Sequence, residues 1–161
     1  MKYKHQKLTG DRDIRVLKLL PCGRSRQTPL TCELIATPLS HSETKSSLRL
    51  SYEALSYAWE RQTPDRVVIC QGKELLVTAN CEAALYQLRH RTRSRLLLID
   101  SICIDQNLSQ EKSQQVQMMG DIYQQAQNVV VGLGEDSSDI ARVLAPRFHI
   151  PQSRQPLFVP C

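Results

Sequence analysis

Residues 95–105 read RLLLIDSICID, an apolar run that stops at Asp100 and is followed at once by Cys103 and Asp105. Gln106 comes next, and Glu111 lies a few residues further on. Carboxylates placed just beyond a buried strand suit general acid-base work or the stabilisation of a developing cation. A thiol beside them suits nucleophilic or redox chemistry. Each group also has a structural alternative. Asp commonly accepts backbone N–H bonds in a turn, so Asp100 is divided evenly between the two roles. Cys103 stands between Ile102 and Ile104, with no His nearby in sequence to activate it, which is the setting of a packed small hydrophobe. Glu111 equally suits the positive end of a helix dipole.

The elements that position these groups follow from periodicity. DIRVLKLLP sets Ile14 and Val16 on one side against Arg15, Leu17 and Leu19 on the other, then stops at Pro21. It reads as a strand. LTCELIATPL, 30–39, reads as a second strand, so a hairpin or adjacent pair opens the fold, and SHSETKSS is a polar loop. YEALSYAWE, 52–60, alternates Leu55, Tyr57 and Trp59 with small residues, the pattern of a strand in close contact on one face. RVVIC and KELLVT, joined through Gln71 and Gly72, read as a β-hairpin. Asn80 then caps a helix with apolar positions Cys81, Ala84, Leu85 and Leu88, ending in a cluster of Arg89, Arg91, Arg93 and Arg95.

RLLLID is continuous in its apolar character, as strands covered on both faces are. A helix from about Ser109 carries an inward stripe of Val116, Met119, Ile122, Tyr123 and Ala126, and NVVVGLG, 128–134, supplies another buried strand. Strand, helix and strand over that length imply a right-handed parallel crossover. Ligands of parallel α/β sheets sit beyond the carboxyl ends of the strands. That rule gathers Asp100, the loop with Cys103, Asp105 and Gln106, and the glycines Gly132 and Gly134 at one edge. No G-x-G-x-x-G or Walker pattern accompanies those glycines. From residue 146 onward four prolines in sixteen residues make regular structure improbable, so the chain reads as cut short.

At 161 residues and 41% hydrophobic, one domain with a real core is expected. No apolar run is long enough for a membrane span or a secretory signal, which places the chain in the cytoplasm. The six cysteines are scattered with no C-x-x-C, so buried free thiols are expected and a zinc site is not. The net charge of +5 divides unevenly, with eight Lys/Arg and two Asp in residues 1–26 against thirteen Lys/Arg and fourteen acids in the rest. The excess is an N-terminal arm. The arginine cluster, at the end of a helix, suits a solvated cap better than a phosphate-binding stripe, and nucleic-acid binding is a minor alternative.

Three blocks, SYEALSYAWE (51–60), LLLIDSICIDQ (96–106) and EKSQQVQMMGDIYQQAQNVVVGLG (111–134), resemble in order and spacing the signature blocks of the fungal heterokaryon incompatibility (HET) domain family. Tyr52, Leu55, Ser56, Tyr57, Trp59 and Tyr123 match motif positions of structural character. Glu60, Leu98, Asp105 and Gly132 stand where that family carries Gly, Trp, Asn and often Trp. The resemblance divides the chain into a lead-in of β-strands (1–51), the signature region (52–136) and a divergent Pro-rich tail (137–161). It implies an α/β fold, TIR-like or flavodoxin-like, with a mostly parallel sheet, flanking helices and an N-terminal β-hairpin region. It further implies an effector module in non-self recognition and programmed cell death, acting through self-association or death-signalling partner proteins. The alternative, by analogy with TIR domains, is an enzyme with NAD as its substrate. In that enzyme Asp100 or Glu111 would stabilise a ribosyl cation, and Gln106 would orient the ligand. No cofactor is assigned.

Overall fold

The computed structural model describes residues 1–25, 27–39, 50–57, 62–132 and 140–143. Trp59, Glu60, Gly134 and the tail beyond residue 143 lie outside the described residues. The strands are β1 (Asp13–Leu19), β2 (Thr31–Pro38), β3 (Glu53–Tyr57), β4 (Arg66–Cys70), β5 (Lys73–Val77), β6 (Arg95–Leu98), β7 (Asn128–Gly132) and β8 (Ile140–Val143). Among the described residues they form one sheet, in the order β5-β4-β2-β1-β6-β3-β7-β8. The helices are α1 (Ala79–Leu88), α2 (Asp100–Cys103), α3 (Ser109–Gln117) and α4 (Met119–Gln125).

The sheet is mixed, which corrects the expectation of a mostly parallel one. β6, β3 and β7 run parallel at its centre, and β4 runs parallel to β2. The pairs β1-β2, β1-β6, β4-β5 and β7-β8 are antiparallel. Hairpins account for much of this. β1 and β2 form the expected N-terminal hairpin, with seven paired positions from Asp13↔Pro38 to Leu19↔Cys32. β4 and β5 close through Gln71 (φ 49) and Gly72 (φ 76), the two left-handed residues of a type I′ turn that matches strand twist. β8 comes from the segment read as a tail, and it continues the sheet by pairing with β7.

The connection from β6 to β7 passes over β3, which lies between them and parallel to both. A hairpin cannot join parallel strands, so the intervening helices follow from this topology. One face of the sheet packs Leu17, Leu19, Leu55 and Leu97 against Cys81, Leu85 and Leu88 of α1 and Ile102 and Cys103 of α2. The other packs Ile14, Val16, Tyr52 and Leu98 against Met118, Met119 and Ile122. The alternation of β1 sets Ile14 and Val16 toward one layer and Leu17 and Leu19 toward the other, as its sequence requires.

Local details depart from the sequence reading for identifiable reasons. The N-cap of α1 is Thr78, whose hydroxyl accepts from the Cys81 amide at 3.3 Å, and Asn80 lies in the first turn. The single helix expected from Ser109 is two, separated at Met118 (φ −89, ψ −3). That break changes which residues face inward. Val116 is 49% exposed, Met118 is buried, and the inner face of α3 is polar, consisting of Glu111 and Gln115.

Candidate functional site

The carboxyl ends of β6 and β3 bring Asp100 and Ser56 to one edge, and α4 brings Tyr123 to it. Tyr123 packs against the core layer beneath α4, with its hydroxyl near Ser56. Burial raises its pKa, the Asp100 charge raises it further, and the Ser56 hydroxyl works in the opposite direction. Asp100, Ser56 and Tyr123 are each partly exposed, so a carboxylate and two hydroxyls meet at a surface that a ligand or partner can reach. Asp100 Oδ1 accepts from the Ser101 amide at 2.7 Å. Its backbone carbonyl accepts from Gln106 Nε2 at 3.1 Å, so the Gln106 side chain closes the turn of α2. Tyr57 ends β3 in register with Gly132 of β7. A carboxylate so placed can accept hydrogen bonds from hydroxyl groups or balance a positive charge.

Glu111 is in a different setting. It is 6% exposed and meets Arg15 of β1, itself 3% exposed, in a two-pronged ion pair. The contacts are Nη1 to Oε1 at 2.5 Å and Nη2 to Oε2 at 3.0 Å. The Asp105 amide donates to Oε1 at 2.8 Å. Arg15 also donates to the carbonyls of Cys103 at 3.1 Å and of Gln6. Burial alone would raise the Glu111 pKa, but Arg15 and the Asp105 amide outweigh it and hold the carboxyl below its usual value. Gln115, one turn further along α3, donates through Nε2 to the Asp13 carbonyl at 2.8 Å. Glu111 and Gln115 together fasten α3 to β1.

Other signature residues are also internal ties. The Tyr52 hydroxyl donates to the Ile122 carbonyl at 2.7 Å, joining β3's entry to α4. Leu55 is 1% exposed at the sheet centre. Cys103 is buried, receives the Ile99 amide at 3.4 Å and lies 3.9 Å from the Leu97 carbonyl. Burial pushes its thiol up to about 12, which removes the thiolate a nucleophile needs. Asp105 Oδ1 accepts from the Asn107 amide at 3.1 Å. This is an Asx turn that an Asn side chain makes equally well, so Asp at this position preserves the local geometry.

The arginine cluster is divided. Arg89 is buried and binds the carbonyls of Thr28, Leu20 and Pro21. Arg95 binds Glu53 and the Leu88 carbonyl at the end of α1. These two guanidiniums are engaged internally, which corrects the solvated-cap reading for Arg89 and Arg95, while Arg91 and Arg93 are exposed as it expected. Among the described residues, no group of three His, Cys, Asp or Glu is placed to hold a metal ion, and no helix is long and apolar enough to cross a membrane. Sequence reasoning missed Arg15 as the partner of Glu111. The signal was available, because an Arg on the same strand face as Leu17 and Leu19 requires a buried counter-charge.

No solved structure matches the chain. Heterokaryon incompatibility protein 6, OR allele, of Neurospora crassa is 33% identical over 144 residues. That alignment covers 81% of this chain and 20% of the Neurospora protein, so the chain spans about a fifth of its relative's length. The pattern of the Heterokaryon incompatibility protein (HET) family matches residues 52–156. This range holds β3, the crossover with its buried ties and the Asp100 edge. The chain therefore belongs to the HET family.

Proposed function

We propose that this chain is an effector module of fungal non-self recognition, which promotes programmed cell death through protein association rather than catalysis. The observation that carries this reading is the pairing of Glu111 with Arg15. Of the two crossover carboxylates suited to chemistry, one is engaged in the fold. The signature residues Tyr52, Leu55, Cys103 and Glu111 likewise build the scaffold. Asp100, with Ser56 and Tyr123, is the exposed polar feature that the scaffold presents, and a partner or a second copy engages it there. The parallel trio β6-β3-β7 with its helical crossover supports a TIR-like or flavodoxin-like core, extended by hairpins.

A second reading is favoured by the position of that same edge, since ligands of α/β sheets bind beyond the carboxyl ends of parallel strands. In it, NAD is hydrolysed with Asp100 stabilising the ribosyl cation and Gln106 orienting the ligand. Two assays separate the readings. Induced expression of the chain in a fungal host lowers viability, and Asp100→Ala or Trp59→Ala restores it. Equal growth of all three strains contradicts the effector role. Incubation of purified protein with NAD releases no nicotinamide on the first reading, and turnover lost in Asp100→Ala establishes the second.

A further inference from the structure

The sheet has one short seam. β1 and β2 pair over seven positions, whereas β2 and β4 pair only at Thr31↔Ile69 and Cys32↔Cys70. The β4-β5 hairpin thus meets the rest of the sheet through a short ladder, whose ends are the backbone bonds Ile69 N to Leu30 O at 2.9 Å and Gln71 N to Cys32 O at 3.0 Å. Two cysteines occupy that seam in register, side by side on the same face of adjacent parallel strands. Neighbouring strands lie about 4.8 Å apart, within the range of Cα separations of roughly 4.4–6.8 Å that a disulfide spans.

The N-terminal segment covers this pair. Tyr3 packs on the core layer that contains both thiols, with its side chain near Cys70. Burial and the Cys70 thiol push Tyr3 up to about 12. The segment is fastened at the sheet edge by Tyr3 N to Glu74 O at 2.8 Å and Glu74 N to Met1 O at 3.0 Å. His5 Nε2 lies 2.7 Å from the Ile102 carbonyl further along. An edge held by two backbone bonds opens at small cost. The thiols themselves are unequal. The neighbouring Cys32 thiol, with help from the Leu34 backbone and Tyr3, lowers the Cys70 pKa against its burial. Cys32 moves the opposite way. Cys70 is therefore the more nucleophilic member and Cys32 the resolving one.

We propose that Cys32 and Cys70 are a peroxide-oxidisable dithiol, closed to solvent by Tyr3, that locks the β4-β5 hairpin onto β2. The Cys70 thiolate attacks one oxygen of a hydroperoxide, the O–O bond breaks, and the leaving hydroxide or alkoxide takes a proton, giving a sulfenic acid. Cys32, losing its proton, then displaces the sulfenic hydroxyl as water and forms the S–S bond. With hydrogen peroxide, two thiols and one peroxide give one disulfide and two waters. The bond constrains a seam that has only two residue pairs, so the hairpin gains protection when the two thiols are oxidised.

The test uses the full 161-residue chain, reduced and then exposed to hydrogen peroxide, followed by alkylation under denaturing conditions and peptide mapping. The expected product is a single cross-linked peptide joining Cys32 to Cys70, accompanied by slower amide exchange across β4 and β5. Tyr3→Ala accelerates its formation several-fold. Cys32→Ser or, should that variant fold poorly, Cys32→Ala abolishes the cross-link and leaves a dimedone-reactive Cys70. The proposal is overturned if both thiols of the wild-type chain remain alkylatable after the other cysteines have reacted. It is equally overturned if Cys32 and Cys70 pair indiscriminately with the other thiols, or if Tyr3→Ala leaves the rate unchanged.

Discussion

Two carboxylates of the crossover have opposite fates. Glu111 is buried against Arg15 at the inner face of α3, whereas Asp100 stands partly exposed at the end of β6 beside Ser56 and Tyr123. A buried charge is tolerable only when paired and hydrogen-bonded, and Glu111 has two prongs to Arg15 and the Asp105 amide besides. Asp100 retains contact with solvent. The same chain segment thus supplies one acid to hold the helices on the sheet and another to the surface they shape.

The largest effect expected from breaking this contrast lies on the buried side. Glu111→Ala leaves Arg15 charged and without its carboxylate in the core, which costs about 3–5 kcal/mol in chemical denaturation. An Arg15→Met, Glu111→Leu double variant recovers most of that loss, because neither charge is left alone. Acid sharpens the same point. Glu111 in the folded chain titrates below its ordinary value of 4.5. Its contribution is therefore complete above that pH and is lost as the pH falls through the lower folded value. The stability difference between wild type and Glu111→Gln narrows over that acid window when urea midpoints are measured against pH. A difference that instead widens in acid contradicts the pairing.

Tyr52→Phe gives a smaller loss. It removes the hydroxyl that satisfies the Ile122 carbonyl and costs about 1–2 kcal/mol in the same denaturation experiment. Asp100→Asn has the least effect on stability, within about 1 kcal/mol, since the amide oxygen can still accept from the Ser101 amide. A loss for Asp100→Asn as large as that for Glu111→Ala erases the distinction between the two acids.

The sequence revealed these features unevenly. Period and punctuation placed β1, β2, the β4-β5 turn, α1 and the β6-to-β7 crossover, because each encodes its own neighbours within a short window. The mixed sheet was less legible. β1 separates β2 from β6, and nothing in the local pattern of DIRVLKL states that it runs against both. The α3-α4 break was hidden for a related reason. An apolar periodicity places Val116 inside, but Glu111 and Gln115 face inward because Arg15 and the Asp13 carbonyl await them across many residues of sequence. Asp100 was legible as the end of an apolar strand, while its company with Ser56 and Tyr123 depends on three separate segments meeting.

On the proposed reading, Asp100 serves function and Glu111 serves the fold. The most direct measurement is viability of a fungal host expressing wild type or Asp100→Asn, matched for the amount of folded protein and followed alongside each chain's denaturation midpoint. The expected result is that Asp100→Asn folds like wild type and no longer lowers viability. Killing undiminished in a folded Asp100→Asn chain contradicts it.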